Sequence, residues 1–376
     1  MKLKIILYLL PLLFLLTLSP ALAEAPDITA ESAILIDAHS GRVLYAKDEH
    51  QRRPMASTTK ITTALIALEK GKLTDVVTAS KHAEETGESS IELMEGQKIT
   101  LENLLYAMML PSANDAAVAI AEHVGGTEEN FIGLMNRRVQ DLGLTDTHYV
   151  TPNGLHNPDH FSSAYDMAFI AREALKIPKF REIIATERRD IPWEGHPWLR
   201  VLNNKNKLLY RYPFAIGVKN GYTRQAGNCL VGAAEKDGLT LIAVVLKSKH
   251  MYEETQQILE YGFANYQPLK VVSRGELIRK VDVVNGTKKQ VQVVSSQDVI
   301  VAVNPEEVKN INKKVALVNF LSAPVKVGSR AGVMEILLND TLFEKVDLLT
   351  SEGAEQPWTF MMTLKETVFF FLKLLT

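Results

Sequence analysis

A mixed α/β domain built around an antiparallel sheet, followed by a small all-β domain, is the architecture this sequence predicts. Three observations predict it. Apolar residues recur at helical spacing in several segments between Ser57 and Leu175. Three strand-like runs then follow between Ile216 and Leu246 with only short turns between them, and short connections make neighbouring strands antiparallel. From Lys270 to about Thr350 the texture changes to Val- and Ile-rich runs at short spacing. Turns there carry Asn285-Gly286, Ala331-Gly332 and Asn339-Asp340, and no helix of any length is evident, which reads as a small sandwich.

The elements follow in order. Lys2 and Lys4 precede an apolar run from Ile5 to Leu18, then Pro20, then Ala21-Leu22-Ala23 before Glu24. That is the charged, apolar and small-residue order of a secretory signal peptide, with cleavage expected after Ala23. The alternative, a retained anchor, has a run shorter than the roughly 20 residues a span needs, interrupted by Pro11. Ala33–Ile36 and Val43–Ala46 flank His39-Ser40-Gly41 and predict a hairpin. A helix carrying Ser57 runs to about Lys70 before Gly71. Residues 101–110 predict a helix ending at Pro111, and 115–124 a small-residue helix stopped by Gly125-Gly126. Phe131–Leu142 and Ala164–Leu175 are amphipathic helices, and a further helix from about Tyr252 to Phe263 closes the region.

At the C-terminus, Trp358, Met361, Leu364, Val368, Leu372 and Leu375 recur at steps of three or four, interrupted by Lys365, Glu366 and Lys373. This predicts an amphipathic helix lying in a membrane interface, with a terminal helix docked on the protein's own core as the alternative. The expected organisation is therefore a signal peptide over 1–23, the α/β domain over 24–267, the β domain over 268–353 and the membrane-seeking helix over 354–376.

Composition is that of a globular protein, with 46% hydrophobic and 23% charged residues and a formal charge of -2. No basic tail or stripe points to nucleic acid. Cys229 is the only cysteine, so no intrachain disulfide forms, which leaves the compartment open.

Chemistry is suggested first by Met55-Ala56-Ser57-Thr58-Thr59-Lys60. A serine three residues before a lysine on a helix shares a face with it. The amine can take the hydroxyl proton if burial or nearby positive charge lowers its pKa. Alone, the tetrapeptide reads equally as a solvated helix start capped by Ser57. Two further segments supply what such chemistry needs. Ser112-Ala113-Asn114, in a Pro111-led turn, offers a second hydroxyl to relay a proton and an amide to hold the substrate backbone. Lys219-Asn220-Gly221-Tyr222-Thr223, on a predicted strand, offers a cation for a terminal carboxylate. Gly221 lets a substrate backbone approach that strand edge, where a peptide can add as an extra strand.

These three segments in this order resemble the penicillin-binding proteins and serine β-lactamases. Thr151-Pro152-Asn153-Gly154-Leu155, Ser162-Ser163-Ala164-Tyr165-Asp166, the β domain and the C-terminal helix further resemble the low-molecular-mass D-alanyl-D-alanine carboxypeptidases. The resemblance spans the whole chain. It implies that Ser57 attacks the carbonyl between the two terminal D-alanines of a peptidoglycan stem peptide, with Lys60 as general base. It implies that Ser112 passes a proton toward the departing D-alanine, that Asn114 orients substrate and the Lys60 amine, and that Lys219 binds the terminal carboxylate. Backbone N–H groups of Ser57 and Tyr222 would form the oxyanion hole. A β-lactam would acylate Ser57 by the same attack, and no cofactor is implied. The sequence departs from the family at Asn220, where threonine or serine is usual.

Other candidates are weaker. His156 and His160 have zinc-like spacing, but Asn157, Pro158 and Asp159 separate them in a loop, so no metal is expected. Cys229 reads as a packing residue and Arg224 as a solvated turn residue. Trp193 and Trp198 flank Gly195-His196-Pro197 in a loop where packing competes with contact to sugar or peptide. Two rival functions remain, a serine β-lactamase and a non-catalytic wall-binding protein. The first needs a deacylating glutamate that no E-x-x-x-N pattern supplies, and the second is motivated by Asn220.

Overall fold

The structure, a computed structural model, describes residues 23–357. Of the tail expected to be helical over 354–376, residues 354–357 are extended instead, with Ala354 bridging to Val325 of the β domain, and the rest of that helix and the export segment up to Leu22 lie outside the described residues. Among the described residues no helix is long and apolar enough to cross a membrane.

The first domain is organised by a five-stranded antiparallel sheet. Its order is Val43–Lys47, Ser32–Asp37, Leu239–Ser248, Gly227–Lys236 and Ala215–Thr223. Successive side chains of a strand point to opposite faces, and the two sides feed two separate cores. Ile34, Ile36, Val231, Ala233, Ile242 and Val244 join the helical side. Ala33, Leu35, Leu230, Ala234, Leu241 and Val245 join the other, under the Met251–Asn265 helix. Because both faces are covered, the inner strands read as nearly continuous apolar runs rather than as alternating ones.

The helix Lys60–Lys70 lies in the middle of the helical side, with every residue from Lys60 to Ala67 buried. A helix buried all round needs apolar residues all round, so the one lysine in that stretch is conspicuous. Leu101–Met109, Asn114–Gly125, Glu128–Asp141 and Ala164–Leu175 surround it. Each of these matches a helix expected from the sequence to within a few residues. Smaller elements carry too little periodicity to announce themselves. The helix Pro178–Ala185 and the hairpin of Arg188–Ile191 with Arg200–Asn203 are the main ones.

The second domain has a six-stranded sheet and a two-stranded one, Gln267–Val272 with Val299–Val303. They share one apolar core in which Val272, Val299 and Val301 meet Val293, Met334, Val346 and Leu348. This is the two-layer β arrangement expected, with one parallel pair, Leu277–Val284 with Phe320–Ser322, at the sheet edge. Arg42 ties the two domains together. Its guanidinium donates to Glu307 and to the Ala302 carbonyl and lies over the Tyr266 ring.

Candidate active site

Ser57 occupies a 3₁₀ turn, Ala56–Thr59, and Lys60 is the first residue of the α-helix that follows. The sequence placed both on one helix. The tighter turn keeps them together all the same, with Lys60 Nζ 3.0 Å from Ser57 Oγ. Lys60 is fully buried, and its Nζ also donates to Asn114 Oδ1 at 2.7 Å and to the Asn153 carbonyl at 2.6 Å. Burial, reinforced by the nearby Lys219 charge, holds its pKa well below the usual lysine range.

The geometry has a direct chemical consequence. A neutral amine has two N–H bonds and one lone pair. Two of its three neighbours here, the Asn114 side-chain oxygen and the Asn153 carbonyl, can only accept. Asn114 is fixed in that orientation because its Nδ2 donates to the Gly87 carbonyl at 2.9 Å. The two N–H bonds are therefore committed, and the lone pair is left facing the Ser57 hydroxyl, which can donate to it.

The turn is braced from two sides. Behind it, Gly154 has a φ of +86°, and a Cβ there would lie 2.1 Å from the Ala56 carbonyl oxygen. The Thr151–Leu155 loop is pinned to the helix by Thr63, which donates to the Pro152 carbonyl at 2.5 Å. His160 completes this side. Its Nδ1 accepts from the Val150 N–H at 3.0 Å, so Nε2 carries the proton and donates to Thr59 Oγ1 at 2.8 Å. Burial pushes the imidazole pKa down to about 3, so the ring is a neutral strut. His156 is exposed, and among the described residues no group of three or more His, Cys, Asp or Glu side chains could hold a metal ion.

In front, the edge strand Ala215–Thr223 runs past the turn. A Cβ on Gly221 would stand 2.8 Å from the Ser57 backbone nitrogen. Only glycine permits that approach. Lys219 is buried on the same strand, and its Nζ donates to the Asn220 carbonyl at 3.1 Å and reaches Asn220 Oδ1 at 3.4 Å. Burial first, and the charge of Lys205 second, bring its pKa down to about 7. Tyr222 follows and is 62% exposed.

Ser112 sits at the third side, nearly buried and with a φ of +71°. It lies between Leu110, whose carbonyl accepts from the Lys205 N–H at 3.0 Å, and Asn114, which reaches Lys60. Its hydroxyl is not one of the three hydrogen-bonding neighbours of Lys60 Nζ. The neighbouring Asp115 is buried and accepts from the Ile91 and Leu93 N–H groups and from Ser90, which folds the 85–97 loop over this side.

The sequence-predicted residues thus converge, with Ser57, Lys60 and Asn114 in direct contact and Lys219, Gly221 and Ser112 around them. Sequence reasoning missed Asn153, which acts through its backbone carbonyl, and His160, set aside as a loop histidine. It also missed Lys205, an exposed cation within electrostatic reach of both lysines. The signal for Lys205 was local. Asn204 and Asn206 on either side each accept a backbone N–H two residues on, which turns the chain sharply at that point.

A serine on a turn beside a buried lysine of lowered pKa, faced by a strand edge that can take a peptide, defines a serine acyl-transfer enzyme of the penicillin-binding type. The family described as D-alanyl-D-alanine carboxypeptidase, peptidase S11, matches residues 20–250, and the penicillin-binding protein 5 C-terminal domain matches residues 266–356. The D-alanyl-D-alanine carboxypeptidase DacF of Bacillus subtilis is 35% identical over 334 residues, covering 85% of this chain and 86% of the relative. DacD of Escherichia coli is 30% identical over 351 residues, covering 89% of each. Among solved structures, penicillin-binding protein 5 of Haemophilus influenzae matches with a TM-score of 0.74 at 30% identity, covering 89% of this chain and 99% of that one. The Streptomyces K15 DD-transpeptidase matches with a TM-score of 0.61 at 34% identity, covering 64% of this chain and all of that one. The chain belongs to the peptidase S11 family of serine-type D-alanyl-D-alanine carboxypeptidases.

Proposed function

We propose that Ser57 is the nucleophile by which this carboxypeptidase removes the terminal D-alanine from peptidoglycan stem peptides. The observation that carries the assignment is the commitment of both Lys60 N–H bonds to Asn114 and Asn153, which leaves its lone pair for Ser57. Ser57 Oγ attacks the carbonyl between the two D-alanines as its proton passes to Lys60. The C–N bond breaks, and the proton goes to the departing amine by way of Ser112. Water then hydrolyses the ester and restores Ser57. Lys219 binds the substrate carboxylate, and charge there raises the lysine pKa from its resting position near 7. Asn220 offers an amide donor where the family usually has a hydroxyl. Gly221 and the Tyr222 N–H complete the strand edge and, with the Ser57 N–H, the oxyanion hole.

A β-lactam acylates the same serine and leaves slowly. The catalytic domain occupies 24–267 and the β domain 268–353. The chain is exported by its first 23 residues, and residues 354–376 hold it at the outer face of the cytoplasmic membrane.

The test is peptide mass spectrometry after incubation with benzylpenicillin, alongside D-alanine release from diacetyl-Lys-D-Ala-D-Ala. A stable penicilloyl adduct on Ser57 together with D-alanine release is expected. Label on another residue, or rapid penicillin turnover without an adduct, would sink the assignment. Deleting 354–376 should release the mature protein from membranes, and its retention would remove the tail from the anchoring role.

A further inference from the structure

The end of the β domain from which the chain departs carries apolar side chains that face water. Lys326-Val327-Gly328-Ser329 forms a closed turn there. The Lys326 carbonyl accepts from the Ser329 N–H at 3.2 Å and from Thr350 Oγ1 at 2.7 Å, and the Gly328 N–H donates to the Thr350 carbonyl at 2.8 Å. Val327 stands at the tip, 69% exposed, more than any other large apolar residue among those described. Beside the turn, Leu277–Val284 and Phe320–Ser322 pair in parallel, with Asp282 opposite Phe320 and Val284 opposite Ser322. Val283 and Leu321 pack inward, so alternation along each strand puts Val284 and Phe320 together on the outer face, 38% and 56% exposed. A single exposed apolar residue is ordinary. Three of them held on neighbouring segments make a patch, and such patches mark contact surfaces.

What covers this patch is indicated by where the chain goes next. Val325 and Ala354 exchange both backbone hydrogen bonds, at 2.8 and 3.0 Å, and the Thr287 N–H donates to the Glu355 carbonyl at 2.8 Å. A Cβ on Gly353 would lie 3.9 Å from the Val327 nitrogen. Residues 353–357 therefore leave the domain beside both the Val327 turn and the 285–287 turn. The sequence that follows opens with Trp358 and holds Phe369-Phe370-Phe371, the stretch read above as lipid-seeking. A tail lying in a membrane interface brings the two turns at its root to the depth of the headgroups. Their charge suits an anionic surface. Lys326 adjoins Val327, Lys288 and Lys289 follow the 285–287 turn, and all three are exposed. Lys288 is paired with Glu352, whereas Lys289 and Lys326 have no carboxylate partner among the described residues. Basic side chains next to such a surface are attracted to it.

We infer that this end of the β domain is a second membrane-contact site. Val327 enters the interface of an anionic lipid surface, Lys326 and Lys289 meet its headgroups, and the domain stands on the bilayer in a fixed orientation instead of swinging from the tail. The inference rests on the lipid-seeking role of residues 358–376 proposed above. In the test, the full chain carrying Val327→Cys is labelled with the environment-sensitive fluorophore NBD, Cys229 being buried, and mixed with phosphatidylglycerol vesicles. Thr341→Cys, about 30 Å away at the other end of the Thr341–Thr350 strand, serves as the reference position. Sedimentation reads binding, and NBD emission reads which label leaves water. On binding, the label at 327 shifts to the blue and is shielded from aqueous iodide, and the label at 341 is not. The unlabelled full chain with Lys326→Glu and Val327→Asp binds the vesicles about tenfold more weakly. It releases D-alanine from a soluble peptide at the parent rate, which shows that it is folded. Parent affinity in that variant, or a label at 327 that stays in water on a vesicle-bound chain, overturns the contact and leaves the role of the tail standing. A full chain that does not sediment with vesicles overturns both. A blue shift at 327 before vesicles are added shows the face covered by the tail or by a second copy, and overturns the contact as well.

Discussion

The two domains of this protein treat charge in opposite ways. In the catalytic domain Lys60, Lys219, Asp115, Asp166 and Glu254 are all withdrawn from solvent. In the β domain the only buried polar residues among those described are Ser295 and Thr350, neither of which is ionisable. Both domains contain a well-formed apolar core, so the difference is not one of foldability. Burying a charge is expensive unless it is paired or hydrogen-bonded. Asp115 and Glu254 answer that cost with several donors each and so hold loops in place. Among the described residues Lys60 and Lys219 have no carboxylate partner, and burial lowers the pKa of both instead. A core that accepts two unpaired lysines retains strain that a purely structural domain, such as the second one here, has no reason to carry.

The contrast can be broken or sharpened at several points. The largest effect is expected from Ser57→Ala, which should lower the rate of D-alanine release by on the order of 10⁴-fold or more while leaving the thermal unfolding curve in place. Continuous assay of released D-alanine and differential scanning calorimetry read the two halves of that statement. Next is Gly154→Ala. The added carbon falls on the Ala56 carbonyl, shifting the Ser57 turn, and a displacement near 1 Å should cost about 10²-fold in kcat. A neutral outcome would mean that the turn is not held as tightly as its packing implies.

The pH profile comes third. In the carboxylate-binding role proposed for it Lys219 must be charged, and in the free enzyme it is charged below about pH 7 and neutral above. Hence kcat/KM should fall above about pH 7 as KM rises, while kcat, measured with the carboxylate in place, falls at higher pH. Lys205→Ala removes a repelling charge and should move the descending limb of kcat/KM to higher pH; no movement would show that Lys205 does not act on Lys219. The smallest effect on catalysis is expected from the other domain. Leu348→Ala opens a cavity in the β core and should cost about 3 kcal/mol of stability, yet leave kcat/KM on a soluble peptide at the parent value. A loss of activity in step with stability would show that the domains do not fold as separate units.

How much of this was legible in the sequence follows from the range of the interactions involved. The long helices and the three adjacent strands were readable because periodicity and turn residues are local. Ser57 with Lys60 was readable for the same reason, three residues being one turn. The joining of Ser112, Asn114 and Lys219 to them came from the order of weak motifs, whose meaning depends on a fold that no single motif specifies. The contribution of Asn153 was not readable, since a backbone carbonyl is common to every residue and only tertiary placement aims it. His160 was misjudged for a related reason. Its loop composition is that of an exposed connection, whereas the fold turns it inward against Thr59. The hairpin of Arg188–Ile191 and Arg200–Asn203 escaped notice because its strands are short and charged.

The near-contact between Gly221 and the Ser57 backbone also has an evolutionary side. A drug that acylates the serine must lie against the same strand edge as the natural peptide, and any side chain at 221 would collide with the Ser57 turn itself and so disturb the site for both. Selection for resistance therefore finds that position closed. Its neighbour is a different matter, because at 220 the chain already tolerates an asparagine next to the Lys219 ammonium. If natural variants of this enzyme learn to tell antibiotic from substrate, position 220 is where the first divergent alleles should accumulate.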